Sequence, residues 1–139
     1  MSLRFLLDTN IVSEPLRPKP NSKIMEQLRL HQAEIAIAAV TWHELWFGCL
    51  RLSPSAKRTA IEAYLNEVVA ATMPALPYDE NAAEWHAAER ARLIAAGKTP
   101  AFVDGQIAAI AYTNELTLVT LNTSDYREYA ELSVTNWGS

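Results

Sequence analysis

The stretch LLDTNIVSE, residues 6–14, is the part of the sequence from which the fold can be predicted. Its leucines belong to an apolar run over residues 4–8 that is typical of a short buried strand, and this strand ends at Asp8. A carboxylate in that position is costly to bury unless a positive charge meets it. Asp8 could instead be a turn residue whose side chain accepts hydrogen bonds from nearby N–H groups, since Thr9 and Asn10 follow it.

The whole chain has the composition of a soluble globular protein, because 50% of its 139 residues are apolar and 20% are charged. We expect one domain over residues 1–139, without a signal peptide and without the ~20-residue apolar run of a membrane span. The single Cys49 excludes an intramolecular disulfide and favours a reducing, cytoplasmic setting. A net charge of −4 argues against a large phosphate-binding surface, but it is compatible with a small acidic site that a metal ion neutralises.

Apolar strands alternate with helical segments along the chain. We predict strands over residues 4–8, 34–40, 116–121 and 132–137, and helices over residues 41–52, 55–71, 79–97 and 99–115, with one more helix beginning near Asn21. Asp79 is the predicted cap of the helix 79–97, while Thr99 and Pro100 are predicted to open the helix that follows it. This alternation is typical of an α/β fold in which helices cover both faces of a parallel sheet.

Three acids fall at one edge of the predicted sheet, where sites form in open α/β folds. Asp8 ends the first strand, Asp125 follows the strand 116–121, and Glu44 lies in the first turn of the helix after the second strand. Two of them also have an ordinary structural explanation. Glu44 fits a capping box with Thr41, in which the glutamate bonds the N–H of the cap residue, and Asp125 fits a turn.

Asp104 is harder to explain without a ligand. At helical spacing it shares a face with Ile107 and Ala108, which should pack against the sheet, and no lysine or arginine stands three or four residues away to neutralise it. Carboxylates that converge in one cleft repel each other, so they take up protons or bind a cation. Oxygen ligands favour Mg²⁺ or Mn²⁺, and such an ion could activate a water for attack on a phosphodiester.

Five blocks of the sequence carry a family resemblance. They are LLDTNIVSE (6–14), TWHELWFG (41–48), VDGQIAAIA (103–111), LVTLNTSDY (118–126) and VTNW (134–137). In this order they resemble the PIN domain of the VapC toxin type, and the opening residues are also similar to the FitB-like members of that superfamily. The resemblance covers nearly the whole chain and implies a three-layer α/β/α sandwich with a mainly parallel sheet.

The resemblance implies the toxin component of a type II toxin–antitoxin system. Such a protein is a ribonuclease that depends on Mg²⁺ or Mn²⁺, hydrolyses RNA with a metal-activated water, forms a homodimer and is blocked by a VapB-like antitoxin. The family's acidic quartet falls on Asp8, Glu44, Asp104 and Asp125. The three aspartates would hold the metal, and Glu44 would bind a second ion or orient the nucleophile.

Three polar positions that relatives keep beside the quartet match Asn10, Thr120 and Asn122, which we therefore expect to be supporting residues. The chain departs from the usual pattern after the helix 99–115, where relatives place a glycine; Asn114 could take the left-handed conformation there. All four acids are present, which predicts an active enzyme.

Two alternatives remain open. The chain could act mainly as a non-catalytic subunit of a DNA-binding toxin–antitoxin or trafficking-regulator complex, in which a partner reads the operator and this chain supplies dimerisation. A phosphatase of the haloacid-dehalogenase type needs a second aspartate two residues after the first, and Asn10 occupies that position. Toxicity on expression of the chain alone would fit only the nuclease.

Two further patterns have both a structural and a functional interpretation. One is an apolar stripe at helical spacing, which is either core or part of a homodimer or antitoxin groove. Its members are Trp42, Leu45, Trp46 and Cys49. The other is a set of cations, Arg90, Arg92 and Lys98, which either belong to a solvated face or line a path for RNA phosphates.

Overall fold

The computed structural model describes residues 2–139 and contains a five-stranded sheet whose strands all run parallel. In chain order the strands are β1 (Phe5–Leu7), β2 (Ile35–Ala38), β3 (Ala75–Leu76), β4 (Thr117–Val119) and β5 (Val134–Thr135). Their order across the sheet is β3-β2-β1-β4-β5. In the central strand β1, Phe5 lies opposite Ile35 on one side and Thr117 on the other. The predicted parallel α/β sheet is confirmed.

Helices make up most of the remaining structure. The α-helices are α1 (Thr9–Val12), α2 (Ser22–Leu30), α3 (Ala39–Leu50), α4 (Ala56–Tyr64), α5 (Ala70–Thr72), α6 (Glu80–Ala95) and α7 (Phe102–Thr113). A π-helical turn, Leu65–Val69, joins α4 to α5, so the predicted helix 55–71 is one continuous segment. Two 3₁₀ helices, Glu14–Leu16 and Thr123–Tyr126, follow α1 and β4. No helix of residues 2–139 combines the length and apolarity needed to cross a membrane.

The two faces of the sheet bury two separate apolar cores, because successive side chains of a strand point to opposite faces. Phe5 and Leu7 face the core built with helices α1 to α4, whereas Leu6 faces the core built with α6 and α7. Helices thus cover both faces in three layers, as the alternation of strands and helices predicted.

The cap predictions are partly confirmed. Asn21 caps α2 by accepting the N–H groups of Lys23 and Ile24, and Asp79 caps α6 by accepting the N–H of Ala82. The predicted opening of the last helix at Thr99 and Pro100 is wrong, because α7 begins at Phe102. Its N-cap residue, Ala101, makes no side-chain capping bond. The carboxylate of Asp104 lies in the first turn instead, where acids are favourable near the helix N-terminus.

Two other local predictions are also wrong. Helix α3 begins at Ala39, directly after β2, so Thr41 is its third residue and does not form a capping box with Glu44. At the end of α7 it is Glu115, with φ 58°, that adopts the left-handed conformation, and Asn114 has φ −96°. Asn114 uses its side chain to donate to the carbonyl of Ile110. In both places tertiary packing moved the helix end by one or two residues.

The short strand β3 was missed by the sequence prediction. It is only two residues long, Ala75–Leu76, and it follows Pro74, which has no N–H to donate. It is an edge strand, where proline and short length are tolerated. The carbonyl of Pro74 still accepts the N–H of Ile37 and so extends the pairing with β2.

Candidate active site

Asp8 lies at the point where β1 ends and α1 begins. It is 8% exposed, and its side chain caps α1 by accepting the Thr9 N–H at Oδ1, 2.8 Å away. Its own N–H donates to the carbonyl of Val119, so the backbone of Asp8 continues the pairing of β1 with β4. Asp8 can therefore be both a capping residue and a site residue, because the capping bond occupies only one of its carboxylate oxygens.

The second carboxylate oxygen of Asp8 is held by Thr120. The buried hydroxyl of Thr120 donates to Asp8 Oδ2 at 2.8 Å and accepts the Asn122 N–H at 3.1 Å. Asn10 makes a similar connection, because its Oδ1 accepts the N–H of Leu121 at 3.3 Å. The three residues expected to support the quartet thus tie the end of β1 to the loop after β4. Asn122 contributes through its backbone N–H.

Asp104 and Asp125 approach Asp8 closely enough for their charges to interact. The pKa of the Asp104 carboxyl is raised, first by burial and then by the negative charges of Asp125 and Asp8. Asp104 is half-buried in the first turn of α7, and Asp125 is exposed in the 3₁₀ helix after β4. Asp8 therefore shares one electrostatic environment with two acids that lie 96 and 117 residues further along the chain.

Glu44 stands apart from this group. It is half-buried in the second turn of α3, and within residues 2–139 no hydrogen bond or ion pair joins it to another side chain. Helix α3 packs against both α1 and α7, the helices that carry Asp8 at the cap and Asp104 in the first turn. The structure places Glu44 on a neighbouring helix, and its charge is not among those that raise the pKa of Asp104.

Tyr126 is a site residue that the sequence reasoning missed. Its buried hydroxyl donates to Asp104 Oδ1 at 3.3 Å, and its pKa is raised by burial and by the charges of Asp8, Asp104 and Asp125. The hydroxyl is therefore a fixed donor among the acids. The only signal in the sequence was that Tyr126 directly follows Asp125. That position gave no reason to expect a bond from Tyr126 to Asp104, which lies 22 residues earlier in the chain.

Glu14 is a second residue that the sequence reasoning missed, and it stabilises the segment between α1 and α2. Its side chain is 3% exposed, accepts the Asn21 N–H at 2.8 Å and lies 3.6 Å from the guanidinium of Arg17. Glu14 thereby fixes the start of α2 against the 3₁₀ helix that follows α1. Pro15, Pro18 and Pro20 all follow Glu14 closely, and a buried carboxylate was not expected at the start of such a proline-rich stretch.

The acidic quartet has no basic partner among the described residues 2–139. None of the ion pairs formed within residues 2–139 includes Asp8, Glu44, Asp104 or Asp125. In the same range no three His, Cys, Asp or Glu side chains already stand close enough to enclose a metal ion. The site is therefore an uncompensated group of carboxylates that is more open than a closed metal cage.

A close helix contact positions Asp104. A Cβ atom added at Gly105 would lie 2.2 Å from Nε2 of His86, so only glycine lets α6 and α7 approach at this point. The buried His86 ring is also held by Tyr78, whose hydroxyl lies 2.7 Å from Nδ1. Burial and the charge of Arg90 lower the pKa of His86, which favours a neutral ring. His86 thus acts as a packing residue on the α6 side of α7.

The three cations considered as a phosphate path have different environments. Arg92 bonds both carboxylate oxygens of Glu89 and the carbonyl of Glu128, and Lys98 lies 3.5 Å from the Glu128 carboxylate. Arg90 forms no ion pair within the described residues, and its guanidinium lies 5.3 Å from the ring centroid of Phe102. Two of the three cations are therefore committed to structural contacts, and one is free.

The profile of the PIN domain family matches residues 5–132 of the chain. The chain belongs to the PIN domain family. Among the PIN-domain relatives, the toxin FitB of Neisseria gonorrhoeae is 35% identical over 124 residues, which cover 87% of this chain and 89% of FitB. The tRNA(fMet)-specific endonuclease VapC of Shigella flexneri is 31% identical over 136 residues, covering 97% of this chain and 98% of that protein.

A solved structure of a PIN-domain complex shows the same fold. The structure of FitAB bound to an IR36 DNA fragment contains a chain that is 31% identical to this one and superimposes with a TM-score of 0.86. The superposition covers 97% of this chain and 96% of that chain. The resemblance inferred from the five sequence blocks is confirmed at the level of family and fold.

Proposed function

We propose that this PIN domain is the toxin component of a type II toxin–antitoxin pair and that it hydrolyses phosphodiester bonds of RNA. The observation that carries the proposal is the charge interaction of Asp104 with Asp125 and Asp8 near the carboxyl ends of β1 and β4, where none of the three has a basic partner in residues 2–139. The Shigella relative, named an endonuclease specific for tRNA(fMet), supports RNA as the class of substrate.

The donor set fits Mg²⁺ or Mn²⁺. Carboxylate oxygens are the ligands that these hard cations prefer, and Mg²⁺ keeps several waters while it binds through one or two carboxylates. An open group of acids therefore suits Mg²⁺ better than a closed cage would. In this proposal Asp8, Asp104 and Asp125 hold the ion directly or through water, and Glu44 binds a second ion or orients the nucleophile.

The residues of this chain would act mainly by orientation. The Thr9 N–H and the Thr120 hydroxyl each bond one oxygen of Asp8 and so hold its carboxylate in one orientation. The Tyr126 hydroxyl fixes one oxygen of Asp104 in the same way. When bound, the cation would supply a water nucleophile at neutral pH and offset the charge that develops on the phosphate.

The test is cleavage of a fluorescent single-stranded RNA by the purified full chain, with Mg²⁺ or Mn²⁺ and with EDTA. The decisive variant is Asp8→Asn, and Asp79→Asn is its matched control. Both aspartates are N-caps, and asparagine caps a helix as well as aspartate does, so both variants should keep the cap; Asp8→Asn in addition loses one acceptor of the Thr120 hydroxyl. Metal-dependent cleavage that Asp8→Asn abolishes and Asp79→Asn retains supports the proposal.

Cleavage that persists in Asp8→Asn would reveal a contaminating nuclease and remove the support. Absence of cleavage on varied RNAs by a folded chain that also fails to bind Mn²⁺ would contradict the nuclease. Expression of the chain alone gives an independent readout in cells. Toxicity that is lost with Asp8→Asn is expected of the nuclease.

We further propose a VapB-like antitoxin as partner, a homodimer as the assembled form, and the cytoplasm as the location. The FitAB complex, which pairs a similar chain with a second protein, supports the antitoxin. The apolar stripe supports an interface, because Leu45 and Cys49 are core residues, whereas Trp42 and Trp46 are half-buried beside a hollow that also contains Phe47. Co-purification with the product of the adjacent gene tests the partner, and light scattering tests the dimer.

A second candidate function is favoured by the same comparison. FitAB is seen bound to DNA, so the chain could serve as the dimerising subunit of a DNA-bound regulator whose acids do no chemistry. The two functions predict different results for the chain alone and for the complex. Only the regulator is expected to show neither cleavage nor toxicity when the chain is alone. In that case the complex should bind operator DNA equally well with and without Asp8→Asn.

A further inference from the structure

We propose that Phe102, with Arg90 beside it, is a stacking surface for an unpaired base of the RNA substrate. This inference rests on the proposed ribonuclease function and adds to it the way in which the substrate is held. Unpaired bases are commonly bound by stacking on exposed aromatic rings and arginine guanidinium groups.

The ring of Phe102 is exposed and yet fixed in place. It is 50% exposed at the first position of α7, and the imidazole of His86 packs against it with ring centroids 4.8 Å apart. His86 is itself buried and bonded to the hydroxyl of Tyr78. An exposed ring held by a buried neighbour loses little conformational entropy when a ligand stacks on it.

Arg90 supplies the positive charge that the acidic site lacks. Its guanidinium lies 5.3 Å from the centroid of the Phe102 ring, and within residues 2–139 it forms no ion pair, in contrast to Arg92 and Lys98. A base could take the exposed part of the ring while the guanidinium turns to the neighbouring phosphate. A cation without a carboxylate partner can make that contact without breaking an existing one.

The position of Phe102 relative to the acids is fixed by α7. Phe102 and Asp104 are the first and third residues of the helix, so their Cα atoms lie roughly 5–6 Å apart. Asp104 faces Tyr126 and the other aspartates, whereas Phe102 faces His86 on α6. The two side chains leave α7 in different directions, so a base on Phe102 would belong to a different nucleotide of the same strand from the one whose phosphate meets the carboxylates.

The chain contains a matched control for this surface. Phe47 is 56% exposed on α3, stacks with His43 at a centroid distance of 6.2 Å and has the guanidinium of Arg51 6.0 Å from its ring centroid. Phe47 thus has the same three chemical groups as the Phe102 surface. It lines the hollow beside Trp42 and Trp46 and not the group of aspartates.

The test measures binding of a single-stranded RNA that carries one 2-aminopurine, whose fluorescence falls when the base stacks. The full chain is used in an Asp8→Asn background, so that no cleavage occurs during the titration. The substitutions are Phe102→Ala, Phe102→Leu, Phe102→Tyr and Phe47→Ala. Phe102→Leu keeps an apolar contact for His86 without an aromatic face, and circular dichroism checks that each variant is folded.

We expect Phe102→Ala and Phe102→Leu to weaken RNA binding by about tenfold, as for one lost base–aromatic stack, and to abolish the quenching. Phe102→Tyr and Phe47→Ala should bind and quench as the parent does. In the chain with Asp8 restored, Phe102→Leu should raise KM more than it lowers kcat.

Equal affinity and equal quenching in Phe102→Leu and the parent would overturn the inference. The inference would also be overturned if the Phe102 variants changed the mass measured by light scattering but not the RNA affinity, because Phe102 would then be a contact between protein chains. RNA binding with Phe102-dependent quenching but no cleavage by the unmutated chain contradicts the proposed nuclease and supports the stacking surface. Cleavage that is unaffected by the Phe102 substitutions would support the proposed nuclease and contradict the stacking surface.

Discussion

The hydroxyl of Thr120 connects Asp8 to the loop after β4, because it donates to Asp8 Oδ2 at 2.8 Å while it accepts the Asn122 N–H at 3.1 Å. Thr120 is fully buried, so neither bond can be replaced easily by water. This one side chain both stabilises the fold at the central strand and fixes the orientation of a carboxylate of the proposed site.

The substitution Thr120→Val should therefore destabilise the protein and reduce its activity. Valine has nearly the same shape but leaves Asp8 Oδ2 and the Asn122 N–H unpaired, which costs about 1–3 kcal/mol. Cleavage should fall by about 10- to 100-fold, the usual effect of losing a residue that orients a metal ligand. Urea unfolding and RNA cleavage measure the two effects.

Thr41→Val is the matched control for Thr120→Val. Thr41 is also fully buried, but its hydroxyl has no hydrogen-bond partner among the described residues. Its replacement by valine should leave the free energy of unfolding unchanged or raise it. Equal destabilisation by the two substitutions would show that shape, and not the hydrogen bonds of Thr120, determines the effect.

Asp104→Asn should abolish cleavage without unfolding the protein. Burial and the charges of Asp125 and Asp8 raise the pKa of Asp104, so the charged form is unfavourable in the folded state without a cation. A neutral amide removes that repulsion, and Tm in EDTA should be equal to or higher than that of the parent. Addition of Mg²⁺ or Mn²⁺ should raise Tm of the parent but not of the variant. Full cleavage activity in this variant would exclude Asp104 from the site.

Gly105→Ala should destabilise the contact between α6 and α7. The added Cβ would overlap the His86 ring, which Tyr78 and Phe102 hold in place, and overpacking of this kind costs about 1–3 kcal/mol. The displaced first turn of α7 carries Asp104, so cleavage should fall more than stability alone explains. Urea unfolding and kcat measure the two effects.

Gly48→Ala is the control for Gly105→Ala. Gly48 lies within α3, and a Cβ atom added there meets nothing within 4 Å. Alanine has the higher helix propensity, so this substitution should stabilise the protein by about 0.5–1 kcal/mol. Destabilisation by Gly48→Ala as well would point to a general intolerance of the helices and not to the His86 contact.

The salt bridge of Glu89 predicts a dependence of stability on pH. The bonds from Arg92, followed by the Ala130 N–H, lower the pKa of Glu89 below the unfolded value of 4.5. Because the pKa of Glu89 is lower in the folded state, its charged carboxylate stabilises the folded protein above pH 4.5. This stabilisation is lost as the pH falls through the folded pKa. Glu89→Gln should thus lower Tm at neutral pH, and its difference from the parent should shrink towards acid pH. A difference in Tm that does not change with pH would assign the effect to packing.

The fold was predictable from the sequence wherever the signals are local. The apolar runs that became β1, β2 and β4 are buried on both faces, so their composition alone indicates strands of a parallel sheet. Asp79 was recognised as a cap, and the start of a helix near Asn21 was recognised as well, because a cap bonds N–H groups within three residues of itself. The start of α3 at Ala39 and the strand β3 were missed, because packing against the sheet and pairing with β2 determine them.

The sequence by itself determined the alternation of helices with the strands β1, β2, β4 and β5, and the presence of Asp8, Asp104 and Asp125 near the ends of these elements. The tertiary structure alone decided which groups meet: Thr120 reaches Asp8 across 112 residues, Tyr126 reaches Asp104 across 22, and Glu44 remains on a separate helix. The physical reason is that periodicity and capping act within a turn or two of chain. Burial, charge repulsion and hydrogen bonding between distant side chains exist only once the parallel sheet has brought the ends of β1 and β4 together.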